Sequence, residues 1–227
     1  MTRGLYNEVV VKKPWGFEYL VFESEEMALW LLHIQANKAT SLHCHPKKTT
    51  GFLLLAGQAR VDFVADSKVI EAPAKEMFRR GLFHRTTALS ADGVWILEAE
   101  NPNDKADLVR LADGHGRGAR GYEGPSELQA RDGSEITIDL DRPAGFRVRH
   151  PSFGFDVEHV DNLAYFSTVD SADFLMFLTG GFGKTVDGRR HLATVAGDVG
   201  RADVIWNVAE NMEFVDPSTH VLRVAGS

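Results

Sequence analysis

Ser41-Leu42-His43-Cys44-His45-Pro46-Lys47-Lys48-Thr49-Thr50-Gly51-Phe52-Leu53-Leu54-Leu55-Ala56-Gly57 places two histidines, one residue apart, just ahead of an apolar run that ends on a glycine. On an extended strand, side chains two apart share a face. His43 and His45 therefore point into one cavity while Cys44 points away. A third histidine, His84 of Gly81-Leu82-Phe83-His84, would come from a later strand and complete a three-nitrogen metal site. The chain holds 9 histidines in 227 residues, so a solvated His-x-His pair on a strand edge is the competing explanation.

Strand punctuation continues on both sides of this stretch. Met27–Ile34, Gly51–Leu55, Ala59–Val64 and Val94–Glu100 are short, rich in β-branched and aromatic residues, and separated by glycine or polar turns. No 15-residue segment keeps a helical period, so the expected fold is all-β, an antiparallel sandwich or barrel with jelly rolls among the candidates. Between Gly114 and Gly133 the composition becomes glycine-dense, which excludes a central strand and reads as a linker or excursion. Beyond Phe146 strand-like runs resume. Phe174-Leu175-Met176-Phe177-Leu178-Thr179-Gly180-Gly181 repeats the pattern of Phe52–Gly57, Ala196-Gly197-Asp198-Val199 reads as a turn into a strand, and Val204-Ile205-Trp206-Asn207-Val208 continues the strand-like composition. These features hint at duplication of one barrel unit, the second copy lacking the His-x-His pair. His191 and His220 look isolated, as surface or packing residues.

The composition narrows the class. Hydrophobic residues make up 44%, ample for a sizeable core, and no run approaches the ~18 apolar residues that span a bilayer. Met1-Thr2-Arg3-Gly4 is not followed by an apolar signal core, and the single cysteine excludes an internal disulfide framework, so a cytoplasmic protein is expected. With 25 Lys+Arg against 32 Asp+Glu, the net charge of −7 argues against a nucleic-acid partner. Exposed barrel edges lead to the expectation of a homodimer.

The His-x-His pair, Gly57 and the later Gly-x-x-His resemble the two motifs of the cupin superfamily. More narrowly, residues 13–117 resemble the cupin domain of type II phosphomannose isomerases, through Lys13-Pro14-Trp15-Gly16, Ser41-Leu42 and the closing Asp107–Arg117. That resemblance covers about half of the chain. It implies cupin-type jelly-roll barrels in tandem: a metal-binding barrel over residues 1–117, a linker over 118–150 and a degenerate barrel over 151–227. It also implies a divalent metal (Zn, Fe, Mn or Ni) on His43, His45 and His84, and a sugar-phosphate or nucleotide-sugar isomerase or epimerase of the kind used to build surface polysaccharides.

Two positions depart from that pattern: Thr50 stands where the family carries a glutamate ligand, and Ala88 where it carries an asparagine. Three arrangements stay open, namely a three-histidine site completed by water, a fourth ligand recruited from elsewhere, or an emptied site. Glu98 is the first candidate for recruitment, and Glu100 shares its face, with Trp95, Leu97 and Ala99 turned the other way. Both carboxylates could instead solvate the barrel mouth or pair with Arg85. His33 is a further inward candidate. For aldose–ketose isomerisation, Glu98 or Glu100 would act as base and Lys48 would assist, while Lys47, Arg85 and Arg110 would hold a phosphate. Trp15 would cap the barrel or stack on a sugar. Arg110 and Arg117 could equally secure the barrel's tail through Asp107 and Asp113. A non-catalytic sugar-binding barrel and a three-histidine oxygenase are the alternatives.

Overall fold

A computed structural model describes residue 4 and residues 6–114, 116, 122–141 and 145–226. The N-terminal half contains β1 (Val9–Lys13), β2 (Gly16–Glu23), β3 (Ala28–Ile34), β4 (Leu42–Cys44), β5 (Thr49–Ala56), β6 (Gln58–Asp62), β7 (Ser67–Glu71), β8 (Ala74–Phe78), β9 (Arg85–Ala88), β10 (Val94–Asn101) and β11 (Val109–Ala112). One sheet runs β2-β3-β10-β5-β8 with β1 outside β2. The facing strands run β11-β4, then across the His43–His84 and Ala39–Thr87 bridges to β9-β6-β7. First, last, third and sixth strands of the unit thus face second, seventh, fourth and fifth, which is the order of a jelly roll. All pairs are antiparallel. At Gly57 the chain passes from β5 to β6 with φ +86°, and a Cβ there would lie 2.7 Å from the Gly93 carbonyl oxygen. Only glycine meets both demands.

The C-terminal half contains β12 (Leu128–Ala130), β13 (Phe146–His150), β14 (Phe153–Val160), β15 (Phe174–Thr179), β16 (Phe182–Val186), β17 (Arg189–Leu192), β18 (Val199–Arg201), α1 (Ala202–Ala209), β19 (Glu213–Phe214) and β20 (Thr219–Val224). Its sheets run β13-β14-β20-β15-β18 and β17-β16-β19, the same order as the first half but without a counterpart of β4 among the described residues. A 3-10 turn at Leu163–Ser167 lies there instead and packs on α1. The rings of Phe166, Phe177 and Phe182, 5.7 to 5.9 Å apart, fill the interior.

Two elements differ from the sequence reading. Residues 204–208 belong to α1, not to a strand, because Ala202, Ile205 and Ala209 recur at helical spacing and are the buried positions. Within the stretch read as a linker, β12 pairs with β1 at the edge of the N-terminal sheet, and residues 117–121, Arg117 included, lie outside the described residues.

The halves share one core. Leu29, Leu31, Leu53, Leu55, Leu97 and Ala99, on the outer face of β3, β5 and β10, pack with Phe155, Val157, Met176, Leu178 and Leu222. Trp30, Leu32, Phe52, Leu54 and Ile96 on the inner face fill the first barrel. Burial on both faces explains why these strands read as continuous apolar runs rather than as alternating ones. Gly51 meets Gly197 across this contact, where a Cβ would come within 2.0 Å of the Gly197 carbonyl oxygen.

Candidate metal centre

His43 and His45 leave β4 on the same side, and Cys44 is buried on the other, where burial raises its thiol pKa. His84 is fixed opposite by backbone bonds in both directions, His43 N to His84 O at 3.0 Å and His84 N to His43 O at 2.8 Å. The ring centroids stand 4.6 to 5.7 Å apart, and one nitrogen from each ring lies within 4.8 Å of the others.

Each Nδ1 faces a backbone carbonyl: Ser41 at 2.8 Å from His43, Asp107 at 2.6 Å from His45 and Leu82 at 3.0 Å from His84. A carbonyl only accepts, so each Nδ1 carries the proton and each Nε2 keeps its lone pair. The Nε2 of His45 is buried without a hydrogen-bond partner. Burial lowers all three pKa values, helped at His43 by the other two rings. His45 falls to about 4, His84 to about 3 and His43 well below its ordinary value. Three neutral imidazoles with oriented tautomers and an orphaned ring nitrogen fit a divalent ion of the Zn, Fe, Mn or Ni kind.

From β10, Glu98 and Glu100 line this cavity and Ile96 joins the barrel's inner apolar cluster, while Trp95, Leu97 and Ala99 face the shared core, as the alternation predicts. Glu100 Oε1 accepts from Lys48 Nζ at 2.9 Å and Lys105 Nζ at 3.2 Å. Burial opposes ionisation of Glu100, but the Lys105 and Lys48 ammoniums outweigh it and bring its pKa to about 2. Glu98 is half-buried, and its pKa is pushed up to about 7 by desolvation and by the Glu100 charge.

Behind the carboxylates lies a buried ionic lattice. Lys105 Nζ also reaches Glu18 at 3.2 Å and stands 3.6 Å over the Trp30 ring. Lys13 lies 3.4 Å from Glu18 and also pairs with Glu123. Arg110 lies 3.6 Å from Glu123. The Tyr122 hydroxyl donates to Glu18. Trp15, Leu32 and Leu108 complete the wall of a cavity of about 60 Å³.

Of the residues singled out in the sequence, His43, His45, His84, Lys48, Glu98, Glu100 and Arg110 come together here. Lys47 is exposed; only its backbone N–H is engaged, by the Asp107 carboxylate at 2.9 Å. Arg85 does not meet Glu98 or Glu100, since its guanidinium bonds Asp62 at 2.9 Å outside the cavity. Asp107 accepts from the Lys47 and Lys48 backbones rather than from Arg110. His33 faces the shared core, 4.4 Å from the Trp95 ring, and His220 is not isolated but stands 4.9 Å from His159. Trp15 is buried in the barrel core as well as lining the cavity.

The sequence reading missed Lys13, Glu18, Lys105, Tyr122 and Glu123 as cavity residues. A charged residue at an inward register, Glu18 on β2, was the available signal. Lys105 and Tyr122 meet Glu18 across 87 and 104 positions of chain and carried none.

The strand order is that of a jelly roll, and His43, His45 and His84 are grouped within its first barrel. No family model matches the chain, and no curated protein matches it. Among solved structures, it is similar to a conserved protein with a double-stranded β-helix domain from Klebsiella pneumoniae subsp. pneumoniae MGH 78578, at 13% identity over 50% of this chain and 84% of that one, TM-score 0.40. KdgF from Halomonas sp. is similar at 11% identity over 43% and 89%, TM-score 0.39. The capsular polysaccharide assembling protein CapF from Staphylococcus aureus is similar at 17% identity over 47% and 34%, TM-score 0.39.

Proposed function

We propose that the chain is a metal-dependent isomerase or epimerase of a small sugar-type substrate, acting at His43, His45 and His84. The observation that carries this reading is the side-by-side placement of three oriented imidazoles and two inward carboxylates of different surroundings. Glu100 is held by two ammoniums, whereas among the described residues no ammonium lies within ion-pair distance of Glu98. A divalent ion on the three Nε2 atoms would polarise a substrate carbonyl. Glu98 stands where it can take a proton from one carbon and return it to the neighbour. At ~30 Å³ per water, the cavity of about 60 Å³ has room for about two, the scale of the reacting end of a hydroxy-carbonyl compound.

The four cavity cations, Lys13, Lys48, Lys105 and Arg110, already face carboxylates. With Lys47 and Arg85 outside, a phosphate would have to displace one of those carboxylates, which favours a neutral sugar over a phosphorylated one. The matching strand orders support reading the C-terminal half as a second barrel without a metal. The test is incubation of metal-loaded protein with free and phosphorylated aldoses and ketoses in D2O. Wild type is expected to exchange a carbon-bound hydrogen of a free sugar, and Glu98→Gln to lose that exchange while retaining metal. Absence of exchange with every sugar of either kind would overturn the proposal.

A further inference from the structure

In the pairing of β10 with β5, Glu100 lies directly opposite Thr50. Residues opposite one another on antiparallel strands project to the same face. Both residues are buried, Thr50 fully and Glu100 at 3% exposure. Among the described residues, Thr50 Oγ1, Glu100 Oε2 and His45 Nε2 are buried atoms that lack a hydrogen-bond partner. Carboxylate oxygens of Glu98 and Glu100 and a ring nitrogen of His45 form one group whose atoms lie within 4.8 Å of one another, and His45 also belongs to the three-histidine group. Glu100 Oε2 and His45 Nε2 are both lone-pair acceptors, so neither can satisfy the other. A cation shared between them satisfies both. The opposite oxygen, Oε1, is held by Lys48 and Lys105, so the carboxylate is oriented and Oε2 is left for the cavity.

We propose that Glu100, through Oε2, is the fourth protein ligand of the metal held by His43, His45 and His84, the carboxylate standing across the strand pair from position 50. This inference rests on reading the three histidines as a metal centre. It separates the two inward carboxylates: Glu100 holds the ion, and Glu98 stays available to the substrate.

Metal-free protein is titrated with Co2+, following affinity and the visible spectrum, for wild type, Glu100→Gln, Glu98→Gln and the exchange variant Thr50→Glu/Glu100→Thr. Folding is followed in parallel by circular dichroism. Glu100→Gln is expected to weaken Co2+ binding on the order of 100-fold, the upper end of losses seen for groups that only support ligands, and to change the spectrum. Glu98→Gln stays near wild type, and the exchange variant recovers most of the affinity. In wild type, which needs no substitution to fold, Zn2+ binding is expected to shift a carboxylate stretching band in the infrared difference spectrum. Wild-type affinity and spectrum in Glu100→Gln, a loss confined to Glu98→Gln, or no carboxylate band shift would each overturn the assignment and leave the three-histidine centre standing. Failure of wild type to bind Co2+ would overturn both.

Discussion

Replacing Lys105 by Met keeps most of the side-chain volume and removes a buried ammonium that two carboxylates share. Lys105 Nζ lies 3.2 Å from Oε1 of both Glu18 and Glu100, and 3.6 Å above the Trp30 ring. At an effective dielectric constant near 20, each contact is worth about 5 kcal/mol before desolvation. Desolvation costs several kcal/mol per ion, and removing one partner of a buried pair typically costs about 3–5 kcal/mol net. Neither carboxylate is left bare: Glu18 retains Lys13 at 3.4 Å and Glu100 retains Lys48 at 2.9 Å. The lower end, about 3 kcal/mol, is therefore expected, which for a chain of this length is a fall in Tm of roughly 6–12 °C.

Burial would lower the Lys105 pKa, but Glu100 and Glu18 outweigh it and raise it above its ordinary 10.5. A raised lysine stabilises fully below the unfolded pKa and loses that contribution only as pH rises through the folded one, so a measurement at pH 7 reads the whole effect. The assay is thermal and urea unfolding with a chelator present, so that metal linkage adds nothing. A loss below about 1 kcal/mol, the scale of exposed pairs, would refute the view that this ammonium works as a buried one.

Gly51→Ala should cost about 3 kcal/mol or more in urea unfolding, because its Cβ would collide with the Gly197 carbonyl oxygen at 2.0 Å; an unchanged midpoint would mean that the two halves are not in that contact. Asp107→Ala releases the Lys47 and Lys48 amides, held at 2.9 and 3.0 Å, and should weaken Co2+ binding about tenfold by loosening the turn next to His45. Asp107→Asn keeps an acceptor oxygen and should recover most of that loss. Arg85→Ala and Lys47→Ala should leave metal content unchanged and stability within about 1 kcal/mol. Metal loss in either would place these side chains in the cavity, contrary to their positions here.

The strands and the His43–His45 pair were legible because both signals are local. Period two along residues 43–45 puts two rings on one side, and the apolar runs of β3, β5 and β10 mark strands covered on both faces. Glu98 and Glu100 were legible for the same reason. The helix at residues 202–209 was not, since Val204, Ile205 and Val208 carry strand-like composition and only the spacing of Ala202, Ile205 and Ala209 betrays it. Arg85 and Lys47 misled because adjacency to a motif says nothing about which side of a strand or turn a long side chain leaves from. Lys105, Tyr122 and Glu123 lay beyond any local pattern.

By itself the sequence determined the all-β class, the inward pair of imidazoles and the face shared by Glu98 and Glu100, all of which follow from strand geometry within a few residues; the bridge between His43 and His84 that brings the third ring alongside is tertiary. Tertiary structure alone decided which nitrogen of each ring is free, because three carbonyls from Ser41, Leu82 and Asp107 set the tautomers. It alone decided that Glu100 is clamped by Lys48 and Lys105 while Glu98 is not. Ion pairing and desolvation depend on distances between segments brought together by folding, and no one-dimensional pattern encodes those distances.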